Sequence, residues 1–234
     1  MNYRYGRPVG TMRSSRERGD PRRFVSYGSK WYRQGVGITT ATGVSQWADA
    51  VGSASALAQA TAGFQPALNA TGAANGGACV VGDGSDDFLT VAFTLVQPEE
   101  IWTAAKMAAG TTGTIFDGGA SNNVMRFYRT GPTQQGMYAG SAQLTPGVET
   151  PTAWHIYRAK FAGASSLLDI DNVNKISADA GASNGGGITL FAMGGGVFDW
   201  SATSIAETMV FSAALPSSEA SRVYASMRSR VGVG

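Results

Sequence analysis

The fold class is decided between residues 91 and 107, which read VAFTLVQPEEIWTAAKM. This stretch holds two short apolar runs that are rich in β-branched and aromatic residues, and Pro98 lies between them. Such residues favour extended backbone, whereas proline cannot donate a hydrogen bond to a neighbouring strand. The stretch therefore predicts two short β-strands, Val91–Val96 and Ile101–Met107.

The same pattern recurs on the C-terminal side of this stretch. Runs bounded by glycine, proline, asparagine or aspartate occupy residues 124–128, 154–159 and 188–193. Their spacing is irregular, without a repeat of about 20–50 residues, which argues against a propeller or a solenoid. We predict an all-β protein, an antiparallel β-sandwich of the jelly-roll type.

One helix pattern closes the chain. Pro216 and Glu219 suit the first turn of a helix, and Val223 and Met227 share one face. The last turn carries two basic residues, which favour the negative end of the helix dipole: Arg228 and Arg230. The sequence thus predicts a short C-terminal helix.

Composition favours a protein of short strands and tight turns. The 234 residues are 43% hydrophobic and only 15% charged, and 32 of them are glycine. Proteins are on average about one quarter charged, so this surface suits contact with other protein.

The single Cys79 excludes an internal disulfide framework. No apolar run approaches the roughly 20 residues of a membrane-spanning helix, and no secretory signal is recognised.

Positive charge is concentrated at the N-terminus. Residues 1–33 hold nine of the 18 basic residues and two acidic ones, a net charge of +7, whereas the remainder carries −5. Residues 1–24 lack apolar periodicity and cannot bury enough surface to order themselves. We predict a basic extended arm over 1–24, which docks onto a partner, and one jelly-roll domain over 25–234. A solvated tail is the alternative. The arm residues predicted to bind the partner are Arg4, Arg7, Arg13, Arg16, Arg18, Arg22 and Arg23.

Three motifs in a fixed order resemble a known superfamily. They are Trp31–Val36 followed by Val44–Asp49, then Val81–Leu89, and finally Ile205–Ser212 before the C-terminal helix. Together they resemble the concanavalin A-like lectin/glucanase superfamily, in its laminin-G-like jelly-roll branch, over about residues 30–231. Val51–Ser55 departs from the usual continuation of the second motif. The resemblance implies two packed antiparallel sheets with loops at their rims. It implies no single function, because this fold hosts lectins, hydrolases and structural modules.

Catalytic patterns of this superfamily are incomplete in the chain. Retaining glucanases carry Glu-x-Asp-x-Glu on one strand, and a pair of carboxylates is needed for the reaction. The nearest match, Asp169 and Asp171, lacks the third carboxylate, and it resembles a hairpin turn of the family instead. Ser183 lies in a nucleophile-elbow pattern but follows no strand pattern, and His155 precedes it in sequence. We predict that the protein is not an enzyme.

Metal and cofactor sites are not predicted either. One histidine and one cysteine cannot build a zinc site, which takes several such ligands. Asp83, Asp86 and Asp87 form one acidic cluster, which the resemblance assigns to a turn, with a calcium site as the alternative.

Five tryptophans raise the question of carbohydrate stacking. Trp47 lies in a family motif, and Trp102 and Trp154 lie in predicted strands, so core packing is the expectation for these three. Trp200 follows Phe198-Asp199 near a rim of the predicted sandwich. It is the candidate glycan contact.

These features favour a non-enzymatic structural or assembly protein of a bacteriophage or phage-like particle, either a head decoration or a tail-associated protein. Jelly rolls resembling this one occur on virions. The expected partners are capsid or tail subunits and further copies of this chain, with packaged nucleic acid as a less favoured partner of the arm and no membrane. The alternative is an extracellular, lectin-like module that binds a surface glycan.

Overall fold

The computed structural model describes residues 26–119, 126–131, 134–146 and 151–233, which fold into two antiparallel sheets and one helix. Strands are numbered along the chain. The first sheet contains β1 (Lys30–Tyr32), β5 (Ala67–Asn69), β6 (Cys79–Val81), β8 (Glu99–Met107), β13 (His155–Phe161), β14 (Ser166–Ile170), β15 (Val173–Ala178) and β17 (Thr203–Phe211). The second sheet contains β2 (Ile38–Thr40), β3 (Val44–Trp47), β4 (Leu57–Ala58), β7 (Leu89–Ala92), β9 (Gly113–Asp117), β10 (Arg126–Arg129), β11 (Gln135–Tyr138), β12 (Ala142–Leu144) and β16 (Gly187–Leu190).

Each sheet has a defined strand order. The first runs β15-β14-β13-β8-β17-β6-β5, and β1 pairs with the C-terminal half of β17. The second runs β12-β11-β10-β9-β16-β7-β4-β3-β2. Because every pairing between named strands is antiparallel, the predicted all-β sandwich is confirmed for the described residues.

Two predicted strands end earlier than the sequence suggests. The run at 91–96 forms a strand only to Ala92, because the following residues cross from the second sheet to the first, with Leu95 fully buried. The run at 188–193 leaves the sheet after Leu190, because Phe191 takes a positive φ of 71° and turns the chain. The run at 188–193 is buried throughout, whereas in the run at 91–96 only Leu95 is fully buried and Val96 is 49% exposed, so an apolar run of either kind does not require a strand.

Side chains between the two sheets form the main core. Along β8, Ile101, Ala105 and Met107 point inward to this core, whereas Trp102 and Ala104 point to the other side of the sheet. Trp47 is fully buried here, and its indole N–H donates to the carbonyl of Arg33 at 3.0 Å. The predicted core role of Trp47 is therefore confirmed.

The helix α1 (Ser217–Val231) covers the outer face of the first sheet. Val223 and Met227 are fully buried against Trp102, as their shared helix face predicts. Gly232 ends the helix in the left-handed conformation with φ of 78°. Among the described residues, no helix is long and apolar enough to cross a membrane.

Candidate functional site

The outer face of the second sheet is partly covered by the rim loop, residues 191–202, which connects β16 to β17. The buried carboxylate of Asp117 accepts a hydrogen bond from the Gly194 N–H at 3.0 Å, and the Gly195 N–H donates to the Thr189 hydroxyl at 3.3 Å. Because Asp117 and Thr189 pair directly on neighbouring strands, the sheet fixes the start of the loop.

Strand β10 places two side chains on this face. Phe127 lies in the core between the sheets, so the alternation of a strand points Arg126 and Tyr128 outward. The Arg126 guanidinium stacks 4.2 Å from the centre of the Tyr128 ring. The Tyr128 ring lies over Gly136, where a Cβ would come within 2.7 Å of the ring, so only glycine fits beneath it. Tyr138 is directly opposite Arg126 on β11.

An ion pair joins the rim loop to this strand. The Asp199 carboxylate pairs with the Arg126 guanidinium and accepts a hydrogen bond from the Thr114 hydroxyl at 2.8 Å. The same hydroxyl accepts from Arg126 Nε at 2.7 Å. The side chains of Arg126 and Asp199 keep 16% and 31% exposure, so both remain accessible to a ligand. Burial raises the pKa of the neighbouring Tyr128 hydroxyl, an effect that the Arg126 charge partly offsets.

The exposed aromatic of the loop is Phe198, at 48% exposure. Trp200, the candidate contact from sequence, is partly exposed, but its indole N–H is enclosed without a hydrogen-bond partner. Trp200 can therefore offer ring surface rather than a hydrogen bond to a ligand. We call the following side chains, of which Tyr128 is only 9% exposed, the aromatic surface: Arg126, Tyr128, Tyr138, Phe198, Asp199 and Trp200.

The chemistry of the aromatic surface suits a ligand with both apolar and hydroxylated faces. Aromatic rings contact the C–H face of a flat molecule, while the guanidinium and the carboxylate donate to and accept from hydroxyl groups. A few oriented polar groups among aromatic side chains are the usual composition of a small-molecule site. Sugar rings have both features.

The acidic cluster lies in the loop between β6 and β7, where its carboxylates hold the turn. Asp83 Oδ1 accepts from the Ser85 N–H at 2.7 Å, and Asp87 Oδ2 accepts from the Asp83 N–H at 3.0 Å. One oxygen from each of the three aspartates, Asp86 included, lies within 4.8 Å of the others. Burial and the neighbouring Asp83 charge raise the pKa of Asp87 to about 6. The turn interpretation is confirmed by these hydrogen bonds.

Ser183 and His155, the two residues of the nucleophile-elbow pattern, are not brought together. The Gln97 side chain donates to the Ser183 carbonyl at 2.7 Å, which places Ser183 beyond the N-terminal end of β8, whereas His155 pairs with Ala105 near the other end. At about 3.3 Å per residue, the first residue of β8, Glu99, and Ala105 are roughly 20 Å apart along the strand. The His155 ring bonds Asp171 at 2.6 Å.

The hairpin interpretation of the two aspartates is confirmed. Asp171 and Asn172 have positive φ values of 51° and 64° between β14 and β15, as a two-residue hairpin turn requires. Asp169 pairs with Arg158 at 3.1 Å and accepts from the Asn174 amide at 3.0 Å.

Two further sequence expectations have different outcomes. Trp102 is buried beneath α1, as expected, but Trp154 is only partly buried and precedes β13 instead of lying within it. Its expected core role is therefore wrong in part. The predicted arm, residues 1–24 with its seven arginines, lies outside the described residues, so its docking role stays a prediction.

Sequence reasoning missed Arg126, Tyr128 and Phe198. The alternation in Arg126-Phe127-Tyr128 is a usable signal, since an inward Phe127 implies outward neighbours. The pairing of Arg126 with Asp199 had no signal, because 73 residues separate the partners.

Comparisons with known proteins give a likeness of fold. No protein-family model and no curated protein sequence matches the chain. Trypanosoma rangeli sialidase aligns with 85% of this chain at a TM-score of 0.60 and 11% identity, and its complex with sialic acid aligns at 0.55. A structure of botulinum neurotoxin type C, whose cell entry depends on two ganglioside molecules, aligns with 71% of this chain at a TM-score of 0.51 and 12% sequence identity. The chain spans 32% of the sialidase and 48% of that neurotoxin chain. These likenesses support a β-sandwich fold.

Proposed function

We propose that this domain is a non-enzymatic carbohydrate-binding module whose ligand lies on the aromatic surface. The observation that carries the proposal is the Arg126–Asp199 ion pair, which remains partly exposed between Tyr128 and the exposed Phe198. An ion pair that served stability alone would gain little at such exposure. Placed among aromatic rings, it supplies the donors and the acceptor that orient a sugar.

Two fold neighbours agree with this choice of ligand class. One is a sialidase in complex with sialic acid, and the other is a neurotoxin whose cell entry depends on ganglioside. Both of these ligands are carbohydrates or carry carbohydrate. The separation of Ser183 from His155 supports a binding role without hydrolysis.

A glycan array, followed by calorimetry with the best ligand, tests the proposal. We expect Phe198→Ala and Arg126→Ala each to weaken binding by about tenfold or more, since aromatic and guanidinium contacts in such sites each contribute about 1–3 kcal/mol. Trp200→Ala should also weaken binding through lost ring surface. Ser183→Ala and His155→Gln should change neither binding nor any trace of hydrolysis.

The matched control is Val173→Ala, because Val173 is 56% exposed on the edge strand β15 of the other sheet. This variant should bind as the wild type does. Unchanged affinity in both Phe198→Ala and Arg126→Ala, with an intact melting transition, would exclude the aromatic surface as the ligand site. A loss of robust turnover in the serine or histidine variant would overturn the non-enzymatic assignment.

The assembly role on a bacteriophage or phage-like particle is a second proposal, and it rests on the seven arginines before Phe24. Arginine pairs with carboxylates or phosphates through two parallel hydrogen bonds. Each exposed pair contributes only about 0–1 kcal/mol, so docking should need several arginines at once. The two roles are compatible, since a glycan-binding domain can be carried on a particle by its arm.

Co-sedimentation with particles that lack the protein tests the arm across a salt series. We expect alanine at five arm positions to weaken attachment sharply while the domain melts as before, and high salt to act similarly through screening. Equal attachment of variant and wild type would assign docking to the sandwich itself. The substituted positions are Arg13, Arg16, Arg18, Arg22 and Arg23.

A further inference from the structure

A second candidate site lies on the other side of the molecule, on the outer face of the first sheet. There, a cavity of about 390 Å³ lies over the last row of this face, at the end where β6, β17 and β8 pair side by side. Ser204 is in register with Val81 on one side and with Lys106 on the other, so these three side chains form its floor. Its volume is at the small end of the range for ligand sites.

The walls of the cavity are held by backbone hydrogen bonds. The Met107 N–H donates to the carbonyl of Pro151 at 2.8 Å, and the Ala108 N–H donates to that of Ala202, also at 2.8 Å. Thr152 stands at the open edge and adds a hydroxyl to the one that Ser204 supplies. None of the described residues that line the cavity belongs to α1, so the helix leaves this row of the sheet open.

Lys106 is the one charged residue among the described residues that line this cavity. Its ammonium group lies 5.5 Å from the centre of the Trp154 ring, and it forms no ion pair with any carboxylate of the described part of the chain. The charge also reaches toward Cys79 in the next row, where it partly offsets the rise in the thiol pKa that burial causes. The ammonium therefore has an aromatic ring on one side and no counter-ion among the described residues.

We propose that this cavity binds a small ligand carrying a carboxylate, with the Lys106 ammonium as its counter-ion. The hydroxyl groups of Ser204 and Thr152 can donate to the same carboxylate or to a neighbouring oxygen of the ligand. The carboxylate can belong to a free organic acid or to an acidic sugar. The site is separate from the aromatic surface and does not depend on it.

Nuclear magnetic resonance titration of the full chain tests this proposal with two matched pairs of probes. Benzoate is compared with benzyl alcohol, and N-acetylneuraminic acid with galactose. We expect each carboxylate to shift the amide signals of Gly82, Ser204 and residues 106–109, and each neutral partner to bind about tenfold more weakly or not at all. Added salt should weaken the binding of the two carboxylate probes and leave the binding of the neutral probes unchanged. Tighter binding of benzoate would indicate a free organic acid as the ligand, and tighter binding of N-acetylneuraminic acid would indicate an acidic sugar.

Substitution of the lysine completes the test. Lys106→Met keeps the aliphatic stem and should lose about tenfold in affinity for the carboxylates, whereas Lys106→Arg should retain most of it. Lys175→Met, on the edge strand β15, is the matched control and should bind as the wild type does. Equal binding of charged and neutral probes, equal binding by wild type and Lys106→Met, or no shift at these amides at the highest soluble concentration would each overturn the proposal.

Discussion

The two outer faces of the sandwich use charged residues in opposite ways. On the first sheet, Glu207 is fully buried beneath α1 and pairs with Arg230 at 2.6 Å. On the second sheet, Asp199 pairs with Arg126 while about a third of its side chain stays exposed. The first pair attaches an α-helix to its sheet, whereas no α-helix of the described residues covers the second.

This difference separates structural charges from candidate binding charges. A buried carboxylate that loses its partner, or a buried guanidinium that does so, bears the full cost of lost hydration. An exposed pair is hydrated in either case, so its removal costs little stability. Exposure therefore separates these two pairs: Arg126–Asp199 can exchange part of its hydration for a ligand, whereas the fully buried Glu207 carboxylate cannot.

Removing one carboxylate from each face should give the largest difference in the free energy of unfolding between two variants. We expect Glu207→Ala to lower the free energy of unfolding by about 3–5 kcal/mol, because the Glu207 carboxylate is fully buried and Arg230 loses it as a partner beneath the helix. Asp199→Asn, which tolerates the positive φ of 57° at this position, should cost about 1 kcal/mol or less, because the Asp199 carboxylate is 31% exposed. Urea unfolding followed by circular dichroism measures both values. Similar costs for the two variants would break the comparison.

The interior between the two sheets contains a buried carboxyl group that should make the stability of the fold depend on pH. Glu99 is the first residue of β8 and is fully buried. Neither of its carboxyl oxygens forms a hydrogen bond of normal geometry. Burial raises its pKa from 4.5 to about 7, although the nearby Gly185 N–H partly offsets this rise. The fold therefore favours the neutral form.

The sign of the pH effect follows from this raised pKa. Between pH 4.5 and about 7 the unfolded chain loses this proton while the folded chain keeps it, so stability falls as the pH rises through this window. The shift corresponds to about 3 kcal/mol at most. Asp87, with its pKa raised from 3.8 to about 6, adds a fall of the same sign and similar size that ends near pH 6. Unfolding across the pH series checks the combined fall, and Glu99→Gln should abolish the part between about pH 6 and 7 and reduce the rest. An unchanged fall in Glu99→Gln would contradict this assignment.

The sequence predicted the parts of this fold that depend on local pattern. The two-residue periodicity and β-branched content of residues 101–107 identified β8, and the spacing of Val223 and Met227 identified the buried face of α1. Asp171 signalled its hairpin because aspartate tolerates positive φ.

The candidate site depends on contacts that no local pattern encodes. Arg126 meets Asp199 only because β10 and the rim loop lie against β9, and sheet order is set by the whole chain. For Trp154 the local pattern predicted a core position within a strand, but the residue is only partly buried and precedes β13. An aromatic residue at a strand boundary has the same local pattern as one inside the core. Sequence thus nominated Trp200 from its position near a rim but could not identify the ion pair beside it.

The smallest expected effect concerns the acidic loop between the sheets. Because the Asp83 and Asp87 carboxylates already accept backbone hydrogen bonds, we expect calcium chloride to leave the Tm unchanged relative to magnesium chloride at equal ionic strength. Scanning calorimetry at a fixed pH measures this. A rise in Tm with calcium that Asp87→Asn abolishes would instead assign a metal to this loop.

The central claim is that the aromatic surface on the second sheet binds carbohydrate. It is tested most directly by titrating the isotope-labelled protein with the best ligand from the glycan array and mapping the backbone amides that shift. The account predicts shifts that cluster at residues 126–128, 138 and 197–200 on the second sheet. Shifts that cluster at α1 and the strands beneath it, with residues 126–128 and 197–200 unmoved, would contradict it.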